Sequence, residues 1–420
     1  MTQDKRDPRS IAAVKGTKDI LPDEVGQWQA VEGVVRRIVE LYGYRELRAP
    51  VIEPTELFEK GTGETSDIVI KEMYTFTDKG GRSITLRPEY TPSVVRAIIE
   101  HRLDLKPEPL RYYYVGPMFR YDKPQKGRYR QFHQLDVEVF GEKDAAIDAE
   151  LVEMADRLLR EVGVAETETL INSVGCRACR PGYLRVLREK AEAAEERLCE
   201  DCRRKTRTNP LRIFDCKLEG CREAAAGFPV VTDHLCAECS AHFSAFRAGL
   251  DAYGLAYRVE PRLVRGIDYY TKTTFEIVAS GLGAQSAVLG GGRYDDLMKD
   301  YGGPDLCAIG FAMGMERLLA VAGVKPEKTP FVYLAYIGDE AKRAGMETAR
   351  RLRAQGVECL LEYKDKGLKA QLGRASKLGA AWAVIIGEEE VRKGRFAVKS
   401  LADGAQHEAA PDDIVKIIRG

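Results

Sequence analysis

After Pro330 the chain changes rhythm, and that change constrains its fold more than any other feature. Phe331–Ile337, Val357–Tyr363 and Trp382–Ile386 read as strands, with Asp339–Gln355 and Gly367–Leu378 as helices between them. Strands alternating with helices of this size predict a small α/β unit with a largely parallel sheet. The chain before Val324 shows runs of strands instead, as an antiparallel sheet does. A polar Lys/Pro/Glu segment, Val324–Pro330, lies between the two. The 420 residues are too many for one ordinary core and divide into a first unit over 1–325 and a second over 331–420.

In the first unit, Trp28, Val31, Val35, Ile38 and Tyr42 recur at three- and four-residue steps and predict an amphipathic helix over Val25–Tyr42. Gly43 follows it and suits the left-handed position past a helix end. Tyr44–Pro50 reads as a strand, its proline at an end or an edge. Thr91-Pro92 predicts a second helix, with threonine as N-cap and proline in the first turn. The clearest hairpin is Arg111–Asp122 with Arg130–Gly141, joined by a basic loop, Lys123–Tyr129, that is longer than a tight turn needs. From Gly175 to Tyr257 the composition turns to Cys, Arg and Glu with helical stretches, as in an inserted module. Leu263–Ala279 and Ala287–Gly290 then read as strands, and Gly314–Val324 as a helix.

Along the second hairpin strand, Phe132, Gln134, Asp136 and Glu138 share one face, while His133, Leu135, Val137 and Val139 share a core-like face. The polar row fits either a solvated surface or the floor of a pocket that Arg120 borders. Gly281-Leu-Gly283 and Gly290-Gly-Gly292 match neither a P-loop nor a dinucleotide fingerprint. The first pair reads as a turn. The triplet, ending a strand, lets backbone approach a ligand closely or forms a bulge.

Lys+Arg and Asp+Glu are both 65, so there is no basic excess to announce a nucleic-acid partner, and local patches are not excluded by it. With 44% hydrophobic and 31% charged residues the chain reads as globular. Met1–Ser10 lacks the apolar core of a secretory signal, and no run of about 18 apolar residues suggests a membrane span. Of ten cysteines, eight fall between Cys176 and Cys239; without a signal they read as reduced thiols or metal ligands, and a cytoplasmic location is expected. Cys199-x-x-Cys202 and Cys236-x-x-Cys239 together predict a closed tetrahedral structural Zn2+ site. Cys216 and Cys221 are substitutes lying between them, and Cys176-x-x-Cys179 is a third pair upstream. Reduced, partly buried cysteines without metal are the competing expectation.

Read together, the motifs form a set. Gly43-Tyr-Arg-Glu-Leu-Arg-Ala-Pro50 resembles motif 1 of class II aminoacyl-tRNA synthetases; Phe119-Arg120 with the basic loop and Arg130-Gln-Phe132-His-Gln134 resembles motif 2; Gly310-Phe-Ala-Met-Gly314-Met-Glu316-Arg317 resembles motif 3. Leu263-Val-Arg265-Gly-Ile-Asp-Tyr269-Tyr270, Leu289-Gly-Gly-Gly-Arg-Tyr-Asp295 and Gly16-Thr-Lys-Asp-Ile-Leu-Pro22 resemble signatures of the histidyl-tRNA synthetases. The resemblance implies an α+β catalytic domain on an antiparallel sheet, with an inserted mainly helical module at about 175–257 and a C-terminal α/β anticodon-binding domain. It further implies ATP-dependent activation of L-histidine, transfer to the cognate tRNA, and a homodimer built partly on motif 1.

By the same resemblance Arg120 and Arg265 are catalytic and hold the α-phosphate, Mg2+ screens the outgoing pyrophosphate, and adenine lies between Phe132 and Arg317. Glu138 and Tyr270 meet the imidazole and Tyr269 lines its pocket; Glu89, Thr91 and Gln134 take the α-amino group, with Tyr90 counted in the same site. Taken alone, Glu89 is a first-turn anion and Arg317 a surface ion-pair partner. Lys126 and Arg128 are candidates for the tRNA acceptor end, although a single loop lysine is more often simply solvated. Two positions depart from the family pattern: Tyr90 stands where glycine is common, and Asp122 where glutamate is more frequent. Some synthetases resembling this one keep the insertion without these cysteines, which supports the metal-free expectation and implies a stabilising role, not a catalytic one, for any zinc there. The rival, a synthetase-like regulatory subunit of histidine biosynthesis, predicts eroded signatures and no anticodon domain, whereas Arg265, Tyr269 and Tyr270 are present and a second unit follows the linker.

Overall fold

Long aromatic and β-branched strands dominate the first unit, and their side-chain alternation assembles one large sheet. The computed structural model describes residues 11–63, 66, 68–107, 109–123, 127–282, 287–326, 330–364 and 366–419. Lys126, Gly283 and residues 327–329 of the Lys/Pro/Glu linker therefore lie outside the described residues, as does the N-terminal Met1–Ser10. The chain separates into two compact units, Met1–Pro326 and Glu327–Gly420.

The strands of the first unit are β1 Arg45–Glu46, β2 Ile52–Pro54, β3 Tyr74–Thr77, β4 Ser83–Leu86, β5 Leu110–Phe119 and β6 Gln131–Phe140. They continue with β7 Thr167–Ser173, β8 Arg258–Val259, β9 Thr271–Ala279, β10 Ala287–Arg293 and β11 Ala308–Gly314. Eight of them form a sheet in the order β1-β5-β6-β11-β10-β9-β7-β8; β2, β4 and β3 form a small side sheet. Pairing is antiparallel except at the two ends, where β1 runs parallel to β5 and β8 to β7.

One face of the large sheet is covered by the helices Pro22–Leu41, Ala145–Glu161 and Ala237–Ala252, whose Val31, Val35, Leu151, Leu158 and Phe246 share a core with Leu135, Val137 and Val139 of β6. Arg293 and Asp148, 0% exposed, form a buried ion pair beneath this layer, joined by His242 at 2.9 Å. Burial alone would raise Asp148, but His242 and Arg293 outweigh it and hold the carboxyl below its ordinary value.

The first helix begins at Pro22, earlier than its apolar stripe, because a proline costs nothing where the backbone N–H has no helical partner. Gly43 has φ +81° behind it, as expected. Leu263–Tyr270 is not strand: only Thr271–Ala279 pairs, and the preceding segment turns, held where Asn172 Nδ2 donates to the carbonyls of Pro261 (3.1 Å) and Leu263 (3.0 Å). The inserted stretch is helical, with its own core around Tyr183, Leu187, Ile213 and Phe228, yet its last helix, Ala237–Ala252, packs into the main core.

In the second unit, β12 Val332–Tyr336 lies between β13 Cys359–Leu361 and β14 Trp382–Ile386, both parallel to it. Two further strands, β15 Phe396–Ser400 and β16 Gln406–Ala409, add on antiparallel, so this sheet is mixed instead of largely parallel. β15 and β16 need only a short connection, which leaves no helical pattern to announce them.

Candidate active site

Because side chains alternate, β6 sends Leu135, Val137 and Val139 into the core and Gln134, Asp136 and Glu138 to the opposite face. Asp136 and Glu138 are each 2% exposed and Phe132 and Gln134 half-buried, so the polar row is not a solvated surface. Glu138 accepts hydrogen bonds from Thr91 Oγ1 at 2.5 Å and from the Tyr294 hydroxyl. Glu89, 4% exposed, accepts from Tyr269 at 3.0 Å and from Thr62. It is therefore no surface anion. Thr91 is not the N-cap either: Tyr90 holds that position without a side-chain cap, and the Thr91 hydroxyl turns to Glu138.

Burial pushes the Glu138 carboxyl up to about 7, against the hydrogen bonds from Thr91 and Tyr294, which favour its ionised form. Burial and then the neighbouring Glu138 raise Asp136, and burial raises Glu89. Three carboxyls thus crowd one buried floor. Gln134 Oε1 and Asp136 Oδ2 have no hydrogen-bond partner among the described residues. Buried acceptors are normally satisfied, so this floor suits an occupant rich in N–H donors.

Arginines dominate the adjoining region. Arg120 Nε donates to the Pro88 carbonyl at 2.8 Å, with its guanidinium 5.3 Å from the centre of the Phe132 ring. Arg265 pairs with Glu276 at 3.2 Å. It runs so close to β10 that a Cβ on Gly290 would overlap its guanidinium, while Gly291 and Gly292 press on the backbones of β11 and β9. The glycine triplet lies within the strand, not at its end, and admits an arginine and two neighbouring strands. Arg317 donates to the Ala287 carbonyl at 2.9 Å; burial, then Arg128 and Arg265, depress its proton affinity. Arg120 adjoins the carboxyls, bonded to the carbonyl that precedes Glu89 and lying against the ring of Phe132.

Supporting contacts hold this frame. Gly314 pairs with Gln134, and Glu316 takes the His133 backbone N–H at 2.9 Å and its ring Nδ1 at 3.0 Å, fastening the Met315–Val321 helix, which carries Arg317, to β6. His133 is thus a fastening group and not a core residue. Tyr90 stacks on Tyr114 at 4.1 Å and meets the backbone of Ala49 (3.1 Å) and Leu47 with its hydroxyl, so it supports the site from the side of motif 1. Its φ of −103° is ordinary, and glycine is not required there. Asp122 holds the hairpin loop through Arg128 Nη1 at 2.7 Å. Sequence reading missed Thr62, Arg87 and Tyr294. Arg87, 0% exposed, ties the carbonyls of Ala49 (2.9 Å) and Pro117 (3.0 Å) together. Tyr294 had a signal, lying inside the Leu289–Asp295 motif; Thr62 had none.

The cysteines correct the expected zinc set. Cys199 and Cys202 do not join Cys236 and Cys239: one group is Cys176, Cys179, Cys236 and Cys239, the other Cys199, Cys202, Cys216 and Cys221. The intervening chain folds back on its own core, bringing the nearer cysteines to the first pair.

A largely antiparallel sheet that carries buried carboxyls beside a group of arginines, with motif 2 supplying Arg120 and Gln134 and motif 3 Arg317, defines a class II aminoacyl-tRNA synthetase. Residues 16–318 match the family model described as histidyl-tRNA synthetase, and 331–420 that of an anticodon binding domain. The chain is 48% identical over 413 residues to a histidine–tRNA ligase from Caldanaerobacter subterraneus subsp. tengcongensis, covering 97% of this chain and 99% of that one. The crystal structure of apo Staphylococcus aureus histidyl-tRNA synthetase superposes with a TM-score of 0.83 at 34% identity, covering 98% and 100% of the two chains. A Bacillus halodurans structure described as an ATP phosphoribosyltransferase regulatory subunit/histidyl-tRNA synthetase has a TM-score of 0.67, covering 91% and 99%; at 21% identity it shows the fold alone. The chain belongs to the histidyl-tRNA synthetase family.

Proposed function

We propose that the chain is a histidine–tRNA ligase that joins L-histidine to ATP, forming histidyl-adenylate and pyrophosphate, and passes the histidyl group to the 3′ end of its cognate tRNA, releasing AMP. The observation that carries this reading is the joint burial of Glu89, Asp136 and Glu138, with Gln134 Oε1 and Asp136 Oδ2 unpartnered among the described residues, beside Arg120, which bonds the carbonyl of Pro88 next to Glu89. Glu89, Thr91 and Gln134 take the α-ammonium, whose donors satisfy the unpartnered Gln134 oxygen. Glu138 and Tyr270 meet the two imidazole nitrogens and Tyr269 lines the pocket. The histidine carboxylate then points toward Arg120 and Arg265, where the α-phosphate of ATP lies. Phe132 and Arg317 sandwich adenine, planar on planar.

Catalysis in this arrangement is placement and charge stabilisation, with no protein base required. Mg2+ carried with ATP would supply positive charge against the leaving pyrophosphate, and Glu276, beside Arg265, is the carboxylate that would help hold it. Glu138, Glu89 and Tyr269 hold histidine, while Arg265 and Arg120 stabilise charge on the reacting phosphate. The site works in the cytosol, and no helix among the described residues is long and apolar enough to cross a membrane. A homodimer through the motif 1 segment agrees with Leu41 and Ile52, 62% and 48% exposed, which flank it. The loop that carries Arg128 meets the acceptor end of tRNA, and the second unit reads the anticodon.

ATP–pyrophosphate exchange with each amino acid in turn tests the reading: exchange dependent on histidine alone is expected, and exchange with another amino acid, or none, would refute it. A chain ended at Lys325 retains every residue assigned to ATP and histidine. It is expected to keep histidine-dependent exchange and lose most tRNA charging, with dimerisation checked in parallel by sedimentation; full charging by the dimeric truncated form would remove the anticodon role.

A further inference from the structure

We propose that the insertion holds two separate structural zinc ions, one in each four-cysteine cluster, and that together they brace the loop Arg265–Tyr270 from two sides. In the first cluster the sulfurs of Cys176 and Cys179 lie 3.7 Å apart, those of Cys176 and Cys236 3.9 Å, and those of Cys179 and Cys239 3.9 Å. In the second, Cys199 and Cys216 are 4.0 Å apart, and in each cluster all four sulfurs lie within 4.8 Å of one another. With sulfur about 2.3 Å from zinc, the edge of a regular tetrahedron is about 3.8 Å. A disulfide needs its sulfurs at about 2.05 Å. The spacing is that of ligands around a common centre.

The surroundings also suit thiolates. The backbone N–H of Cys176 donates to Cys179 Sγ at 3.3 Å, that of Cys199 to Cys221 Sγ at 3.1 Å, and that of Cys202 to Cys199 Sγ at 3.5 Å. Such donors orient metal ligands and offset their negative charge. Four sulfurs close each centre, leaving no open position for a reaction.

The placement assigns each ion a task. The first cluster joins the chain leaving β7 to the start of the Ala237–Ala252 helix, sixty residues on, and so ties the base of the insertion. One residue past Cys179, Arg180 donates to the carbonyls of Val174 (2.9 Å), Gly175 (3.1 Å) and Tyr270. The second cluster brackets the turn Pro210–Asp215, where Arg212 donates to the Gly266 carbonyl; Asn209, just before it, donates to Asp268 at 2.8 Å. Losing either ion frees one arm of the loop that carries Arg265, Tyr269 and Tyr270. The effect on histidine rests on the function proposed above; the ion count does not.

Elemental analysis of the full chain, purified reduced and without chelator, is expected to find two zinc ions per chain. Cys176→Ser with Cys236→Ser, and separately Cys199→Ser with Cys216→Ser, should each remove one, leaving the other, and raise the KM for histidine several-fold with a lower melting temperature. Fewer than two ions in the unaltered protein, or a folded variant that loses both ions or neither, overturns the proposal. Should a variant fail to fold, Co2+ titrated into the metal-stripped natural chain decides: two equivalents entering tetrahedral thiolate absorption support it, and one or none refutes it. Absent histidine activation with two ions bound would reject the enzyme reading and leave the metal sites standing.

Discussion

Arg265→Gln is expected to lower the rate of histidyl-adenylate formation roughly a hundred- to a thousandfold, the usual cost of removing a preorganised group that stabilises charge in the transition state. The Arg265 guanidinium is admitted to the sheet by the missing Cβ of Gly290 and steered by Glu276 at 3.2 Å. Because charge on the reacting phosphate grows during the reaction, most of the loss belongs in kcat, with a smaller rise in the KM for histidine from the lost contact to its carboxylate. Single-turnover measurement of adenylate formation, with the melting temperature as a control for folding, reads this directly. A loss under about tenfold would take Arg265 out of the chemistry.

Glu138→Gln is expected to fold normally and to lose histidine activation by roughly 10- to 150-fold, as the removal of a charge-assisted hydrogen bond worth about 1.5–3 kcal/mol implies. Near-normal histidine-dependent exchange would sink the assignment. The pH dependence gives a sharper test. Burial raises Glu138 to about 7, so the free site carries this carboxyl increasingly protonated as the pH falls below that value. The N–H of a neutral ring prefers the ionised carboxylate, so the KM for histidine should rise as the pH falls through about 7, and binding of the neutral ring near pH 7 should release the proton held by Glu138. Free histidine itself titrates near about 6.5, a contribution common to both proteins. The difference between the natural and Glu138→Gln profiles isolates the carboxyl, and identical profiles would show that it stays ionised throughout.

Several parts of the site were readable because their signals are local. Alternation along Gln131–Phe140 put Leu135, Val137 and Val139 on one face and Gln134, Asp136 and Glu138 on the other, and strand geometry enforces that division wherever the strand sits. The helix over Trp28, Val31, Val35 and Ile38 and the left-handed Gly43 follow in the same way from periodicity and from the absence of a Cβ. The motifs holding Arg120, Arg265 and Arg317 were also legible, since each is a short contiguous run.

What escaped depends on partners far along the chain. Thr91 looked like a cap because capping is a local preference, yet Glu138, forty-seven residues on, takes its hydroxyl in a buried setting where an unpaired carboxylate is costly. Tyr294 and Thr62 acquire their roles only once folding sets them against Glu138 and Glu89. Leu263–Tyr270 has strand-like composition but no strand beside it to pair with. The eight clustered cysteines read as reduced thiols or metal ligands, and spacing alone grouped them wrongly, because which cysteines meet is decided by which turns pack together. Sequence by itself determined the two units, the sheet-building strands, their inward faces and the family motifs, all encoded in neighbouring residues. Tertiary structure alone decided that three carboxyls share one buried floor, that the glycine triplet admits an arginine, and that the cysteines divide into two groups, since each depends on contacts between distant segments.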